Sequence, residues 1–176
     1  MQYKIKDIGD DGLVLNVPLT ADWLAASCPD AEIKPGRSGL RLRGVLQRSG
    51  AARDADILLR GDIRGSVEAP CSRCLEPARI DLNVPVVITY VERETGDPEE
   101  ADDPDVVYFD SDSIDIAPEV RDEILLAVPL SPLCIESCPG LCPVCGGNRN
   151  VTACDCAPPR EAEDLKQNVF AKLKLS

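Results

Sequence analysis

The run Ile57-Leu58-Leu59-Arg60-Gly61-Asp62-Ile63-Arg64-Gly65-Ser66-Val67-Glu68-Ala69-Pro70-Cys71-Ser72-Arg73-Cys74-Leu75-Glu76-Pro77 decides how this chain folds. Ile57, Leu59, Ile63 and Val67 alternate with a mostly polar set at Asp56, Arg60, Asp62, Arg64, Ser66 and Glu68, the period-two pattern of a strand with one buried face. Gly61 and Gly65 thin that face and mark bends or bulges, as where a sheet curls toward a barrel. Beyond Pro77 the alternation resumes at Ile80, Leu82, Val84, Val86, Ile88 and Tyr90. Two long strands, antiparallel neighbours, are therefore joined by a C-x-x-C turn.

Upstream, Leu40, Leu42 and Leu46 mark another strand, and Leu13 to Val17 a shorter one closed by Pro18. Thr20 is placed to cap a short helix over Ala21 to Ala26, with Trp23 and Leu24 toward the core. Cys28 stands alone and reads as a small, semi-buried residue without a role. Downstream, Glu92 to Asp105 holds eight acidic residues against Arg93 and reads as a solvated loop. Val106 to Phe109 is a short strand. Ile116, Val120, Ile124, Ala127 and Val128 then recur at helical spacing, with Pro118 in the first turn and Pro129 as the stop. The acidic side of that helix, Glu119, Asp122 and Glu123, reads as ordinary solvated surface.

From Cys134 to Cys156 lie six of the nine cysteines, in a segment too rich in Gly and Pro to fold by burying apolar surface. It needs cross-links, and the candidates are disulfides, zinc or an iron–sulfur cluster. Cys142-Pro143-Val144-Cys145-Gly146 is a knuckle that can grip one metal from a tight turn, and Cys154 with Cys156 can supply the second pair. The upstream Cys71 and Cys74 must find two further ligands, act as a redox pair, or remain bare thiols. Past the cluster, Ala157-Pro158-Pro159-Arg160 breaks the chain before Leu165, Val169, Phe170 and Leu173. With Lys166, Lys172 and Lys174 these form a basic tail or short helix.

The fold class is thus α+β: a mainly antiparallel, curled or barrel-like β-sheet with one or two helices and a zinc-ribbon-like C-terminal cysteine segment. The expected divisions are a β-rich domain over 1–130 with the acidic loop 92–105, the cysteine-rich segment 131–157, and the tail 158–176.

Composition narrows the chemistry. The N-terminus lacks the apolar core of a signal peptide and no segment reaches membrane-spanning length, so a cytoplasmic protein without membrane contact is expected. In that reducing compartment clustered cysteines serve metals more often than disulfides. The 176 residues carry a formal net charge of -12 and no histidine, which removes the commonest general base. No Gly-rich phosphate loop or paired nucleophile is present either, so no enzyme is expected. Any zinc must be held by sulfur alone, and such acidity favours a basic protein over naked nucleic acid as the direct partner.

The C-x-R-C-L turn after a long strand, the acidic loop, Ile114-Asp115-Ile116 leading into a helix that ends Leu126-Ala127-Val128-Pro129-Leu130, Pro132-Leu133-Cys134, Gly140-Leu141-Cys142-Pro143, Cys145-Gly146, Asn148, Asn150, and Cys154 with Cys156 together resemble the YceD family of large-subunit ribosomal RNA accumulation proteins, over roughly residues 40–175. The resemblance implies a bacterial cytoplasmic protein needed for 23S rRNA accumulation and large-subunit assembly, with no catalytic activity. A ribosomal protein or pre-50S ribonucleoprotein is then the expected partner, with rRNA contact open. Economy assigns the eight thiols to one or two structural zinc ions: Cys142, Cys145, Cys154 and Cys156 around one, and Cys71, Cys74, Cys134 and Cys138 around another. The alternative reading is a zinc–thiol redox sensor or chaperone, with Cys71 and Cys74 as the oxidisable pair. Cys138, Cys142 and Cys145 also fit the spacing of a radical S-adenosylmethionine cluster, but the 31 residues after Cys145 cannot build that barrel.

Overall fold

The structure, a computed structural model, describes residues 1–49, 56–92 and 106–156. The acidic loop, apart from Glu92, and the basic tail lie outside the described residues. Strands β1 (Gln2–Lys4), β2 (Leu13–Pro18), β3 (Lys34–Ser49), β4 (Asp56–Pro70), β5 (Pro77–Glu92), β6 (Val106–Phe109) and β7 (Ser113–Asp115) alternate with helices α1 (Ala21–Ser27) and α2 (Ala117–Ala127). Five strands form one sheet in the order β2-β3-β4-β5-β6, and β1 pairs with β7 apart from it. All pairs in the large sheet are antiparallel except β5 with β6. Among the described residues β2 and β6 remain edges, so the sheet is open and not a barrel.

The alternation read from the sequence is the burial pattern observed, except at Ser66, which falls in the polar set but is fully buried and shares a 2.6 Å hydrogen bond with Ser38. Ile57, Leu59, Ile63 and Val67 of β4 are fully buried, as are Leu42 and Leu46 of β3 and Val86 of β5. They pack with Leu24 of α1 and Val120 and Ile124 of α2, so the helices belong to one face of the sheet. Thr20 caps α1 as expected, its Oγ1 accepting from the Trp23 N–H at 3.2 Å. Trp23 is partly buried against this core. Gly44 and Gly61 face each other across β3 and β4. A Cβ on Gly44 would stand 2.7 Å from the Arg60 carbonyl oxygen, so the close strand approach requires glycine there.

Two further features differ from the expectation. Glu119 is not solvated: it is half-buried, and its carboxylate accepts from the Tyr90 hydroxyl at 3.2 Å, because the first turn of α2 lies over β5. Asp122 is exposed and pairs with Arg121. The strand read from Leu40 begins earlier, at Lys34, with an irregularity between Pro35 and Leu40 that hides its periodicity. Among the described residues no helix is long and apolar enough to cross a membrane.

Candidate metal centre

A C-x-x-C turn holds a cation only when both sulfurs point to one side, and the same hydrogen-bonded turn achieves this twice. At the first, the Cys71 N–H donates to the Glu76 carbonyl at 2.8 Å and the Leu75 N–H donates to the Cys71 carbonyl at 2.9 Å. At the second, the Cys142 N–H donates to the Gly147 carbonyl and the Gly146 N–H to the Cys142 carbonyl, both at 2.8 Å. The residue after the second cysteine is left-handed in each, Leu75 at φ +65° and Gly146 at φ +71°. The two knuckles are one design.

Strands β4 and β5 present the first knuckle, and the segment after α2 folds back onto it. The Ser72 N–H donates to the Pro132 carbonyl at 2.9 Å, and the Leu141 N–H to the Arg73 carbonyl at 3.0 Å. Arg73 Nη1 donates to the Cys138 carbonyl at 2.8 Å. Gly140, at φ +76°, lies where a Cβ would stand 2.9 Å from the Arg73 carbonyl oxygen. Cys71, Cys74 and Cys138 are thereby buried with Ala78 in a small cluster flanked by Leu133, Cys134 and Leu141.

The eight cysteines nominated from the sequence fall into two sets. The sulfurs of Cys71, Cys74, Cys134 and Cys138 lie within 4.8 Å of one another, and so do those of Cys142, Cys145, Cys154 and Cys156. Four sulfurs held tetrahedrally about 2.3 Å from an ion stand about 3.8 Å apart. Cys71 and Cys138 are separated by 3.8 Å and Cys74 and Cys134 by 3.5 Å, far beyond disulfide bonding. Each set could therefore hold a metal ion, and the all-sulfur donor set suits a soft or borderline one. Cys28 belongs to neither set and is buried in the sheet core.

The protons on these thiols show why a cation would be welcome. Burial opposes ionisation at Cys71, but the N–H groups of Arg73, Cys134 and Cys74 overcome it and bring the thiol to about 6. Asn150 Nδ2, 3.3 Å from Cys138 Sγ, pulls Cys138 down as well. Burial, and then the neighbouring sulfurs, push Cys134 up to about 12; burial also raises Cys74. In the second set the N–H groups of Cys145 and Val144 lower Cys142 to about 6, while hydrogen bonding with Cys145 and burial raise Cys156 to about 12. Four thiolates repel one another in a shared site, and a divalent ion removes that conflict.

In the sequence Asn150 is part of the family motif and carries no role. Here it links the sets: it lies in the loop between Cys145 and Cys154 yet donates to a sulfur of the other set. Asn148 Oδ1 accepts from both its N–H and its side-chain amide, at 3.0 and 2.9 Å, fixing its direction. Only the asparagine spacing could have signalled this.

These features define a class of protein: an open-sheet α+β domain with two four-cysteine clusters, one of them tied to the connection between β4 and β5. The chain belongs to the YceD family, whose model, described as large ribosomal RNA subunit accumulation protein YceD, matches residues 59–175. An uncharacterized protein of Mycobacterium tuberculosis (strain ATCC 25618 / H37Rv) is 32% identical over 126 residues, covering 66% of this chain and 60% of that protein. The chloroplastic large ribosomal RNA subunit accumulation protein YCED homolog 1 of Zea mays is 29% identical over 180 residues, covering 79% and 61%. Its Arabidopsis thaliana namesake is 34% identical over 61 residues, covering 35% and 18%. The chain thus spans about 60% of the length of the first of these relatives. No solved structure matches it.

Proposed function

We propose that this chain is a non-enzymatic, cytoplasmic factor that supports 23S rRNA accumulation and assembly of the large ribosomal subunit, with a structural zinc ion in each cysteine cluster. The observation that carries this reading is the family match over residues 59–175, which takes in all eight clustered cysteines. Zinc is favoured because each donor set is four cysteine sulfurs within 4.8 Å of one another, no histidine exists in the chain, and the sulfur separations in the set containing Cys71 suit a closed tetrahedral site. The working partner is a pre-50S ribonucleoprotein, met through a basic ribosomal protein or an RNA–protein intermediate. A redox-sensor role is less well supported, because Cys71 and Cys74 are both buried.

The test is the ratio of 23S to 16S rRNA in cells lacking the protein, with rescue by the wild-type chain and by Cys71→Ala/Cys74→Ala. A low ratio restored by the wild type alone is expected. An unchanged ratio in the deleted cells would overturn the ribosomal role.

A further inference from the structure

We infer that the sheet face opposite the helices is a docking surface for the phosphate backbone of folded RNA, centred on Arg41, Arg43, Arg60 and Arg64. This deepens the ribosomal reading above and rests on it. The strand registers bring the four arginines together. Arg41 of β3 lies directly across from Arg64 of β4, Arg43 is two residues along from Arg41, and Arg60 is paired with Val45 one row further. The side chains on this face alternate with the buried Leu42, Leu46, Leu59 and Ile63, so they point away from the core. Arg43, Arg60 and Arg64 are exposed.

Two observations make this more than a solvated surface. First, the chain is strongly acidic, at a net -12, yet this patch has one acidic residue, Asp62, among four arginines. Asp62 Oδ1 lies 2.7 Å from Arg64 Nε, though poorly aligned for a hydrogen bond, and so offsets one charge. Among the described residues Arg43 and Arg60 form no ion pair. Second, like charges directly opposite across antiparallel strands are unfavourable, and Arg41 against Arg64 is such a pair. Arg41 is held by Asn16 Oδ1 at 3.0 Å, a contact that orients the guanidinium without neutralising it. A chain that keeps this repulsion while placing negative charge elsewhere presents a local site for an anion.

The row containing Arg60 continues through Val87 on one side and Val45 and Val14 on the other, and the row containing Arg43 runs from Asn16 to Pro85. Neither row, nor the one holding Arg41 and Arg64, offers an aromatic ring on which an unpaired base could stack. Backbone phosphates of a base-paired region are therefore the fitting ligand, recognised with little regard to sequence. Arginine on successive odd positions of a strand, about 6.8 Å apart, with a second strand about 4.8 Å away, gives a two-dimensional grid of bidentate phosphate donors.

The test uses the full, zinc-loaded chain and a fluorescently labelled RNA hairpin, read by anisotropy over a salt series. Arg41→Ala/Arg64→Ala should bind about tenfold or more weakly. Its slope of log affinity against log salt should be shallower by about 1.8, two phosphate contacts at about 0.9 each. Its circular dichroism is read alongside, so that weaker binding is scored only in folded protein. Arg43→Gln/Arg60→Gln provides a second pair should the first not fold, and Arg121→Ala, on α2, should bind like wild type. Wild-type chain that fails to bind the hairpin, arginine variants that bind it equally well, or tighter binding to polyglutamate than to RNA would each overturn the proposal. In cells, full rescue of the rRNA ratio by Arg41→Ala/Arg64→Ala would sink this surface while leaving the ribosomal role standing. An unchanged ratio on deletion would sink the role itself.

Discussion

Leu75 holds a backbone conformation that leucine disfavours, at φ +65°, and its side chain is 68% exposed. A left-handed conformation costs a residue with a Cβ about 1–2 kcal/mol, part of which a glycine gives back through its freer unfolded state. The second knuckle has Gly146 at the equivalent place. Leu75→Gly should therefore raise stability by about 0.5–1 kcal/mol, with little apolar burial lost, seen as a higher urea midpoint of the metal-loaded chain. A lower midpoint would overturn this account of Leu75. The contrast also marks what a sequence discloses at this scale. Gly146 after C-P-x-C signals its own conformation, whereas nothing in a leucine does; Leu75 is legible only through the spacing of the turn around it.

At the level of elements, β5 and α2 meet through a polar contact that periodicity does not register. Glu119 falls on the acidic side of α2, but the helix turns it onto Tyr90. Burial, then the nearby charges of Asp115 and Asp122, raise its carboxyl above the ordinary 4.5, although the Tyr90 hydroxyl pulls the other way. From pH 4.5 up to that raised value the folded state binds more protons than the unfolded one. Stability contributed by this group is thus full below 4.5 and is lost as the pH rises through the window. Asp115 works oppositely. Burial opposes ionisation, but the N-terminal ammonium and the Ala117 N–H hold its carboxyl below the ordinary 3.8, so its contribution is lost as pH falls beneath that value. Glu119→Gln keeps an acceptor for Tyr90 and cannot titrate. It should melt higher than wild type at neutral pH and flatten the fall above pH 4.5, as thermal melts across pH 4 to 8 would show. An identical pH profile in the two proteins would refute the account. The long strands were readable because half their residues face one core and alternation records it. The pairing of β1 with β7 and the parallel step from β5 to β6 were not, since three- and four-residue strands are too short for a period and, for β1, the partner lies at the other end of the domain.

At the scale of the whole molecule, two cores of different origin stand among the described residues. One is hydrophobic, built from β2 to β5 with α1 and α2, and contains no residue of the segment 131–156. The other is the small cluster around Cys71, Cys74, Ala78 and Cys138, whose closure depends on sulfurs brought from both sides of it. A metal that joins them should stabilise the cysteine segment directly, since thiolates released from it are left crowded and repelling. Two equivalents of zinc per chain are therefore expected, read by colorimetric release with a mercurial reagent. Cys154→Ser should lose one equivalent and keep the other, because the set containing Cys71 shares no ligand with it. Cys138→Ser should also lose one, and should in addition free the segment after α2 from the β4–β5 connection. Limited proteolysis should then cut this variant between residues 131 and 156 while the sheet keeps its far-ultraviolet circular dichroism, and Cys154→Ser should be cut more slowly there. The difference follows from position: one cluster ties the segment to the sheet, and the other ties the segment to itself. If Cys138→Ser retains both equivalents, or if loss of zinc unfolds sheet and segment in one step, the two cores are not separate and the first cluster is part of the hydrophobic fold.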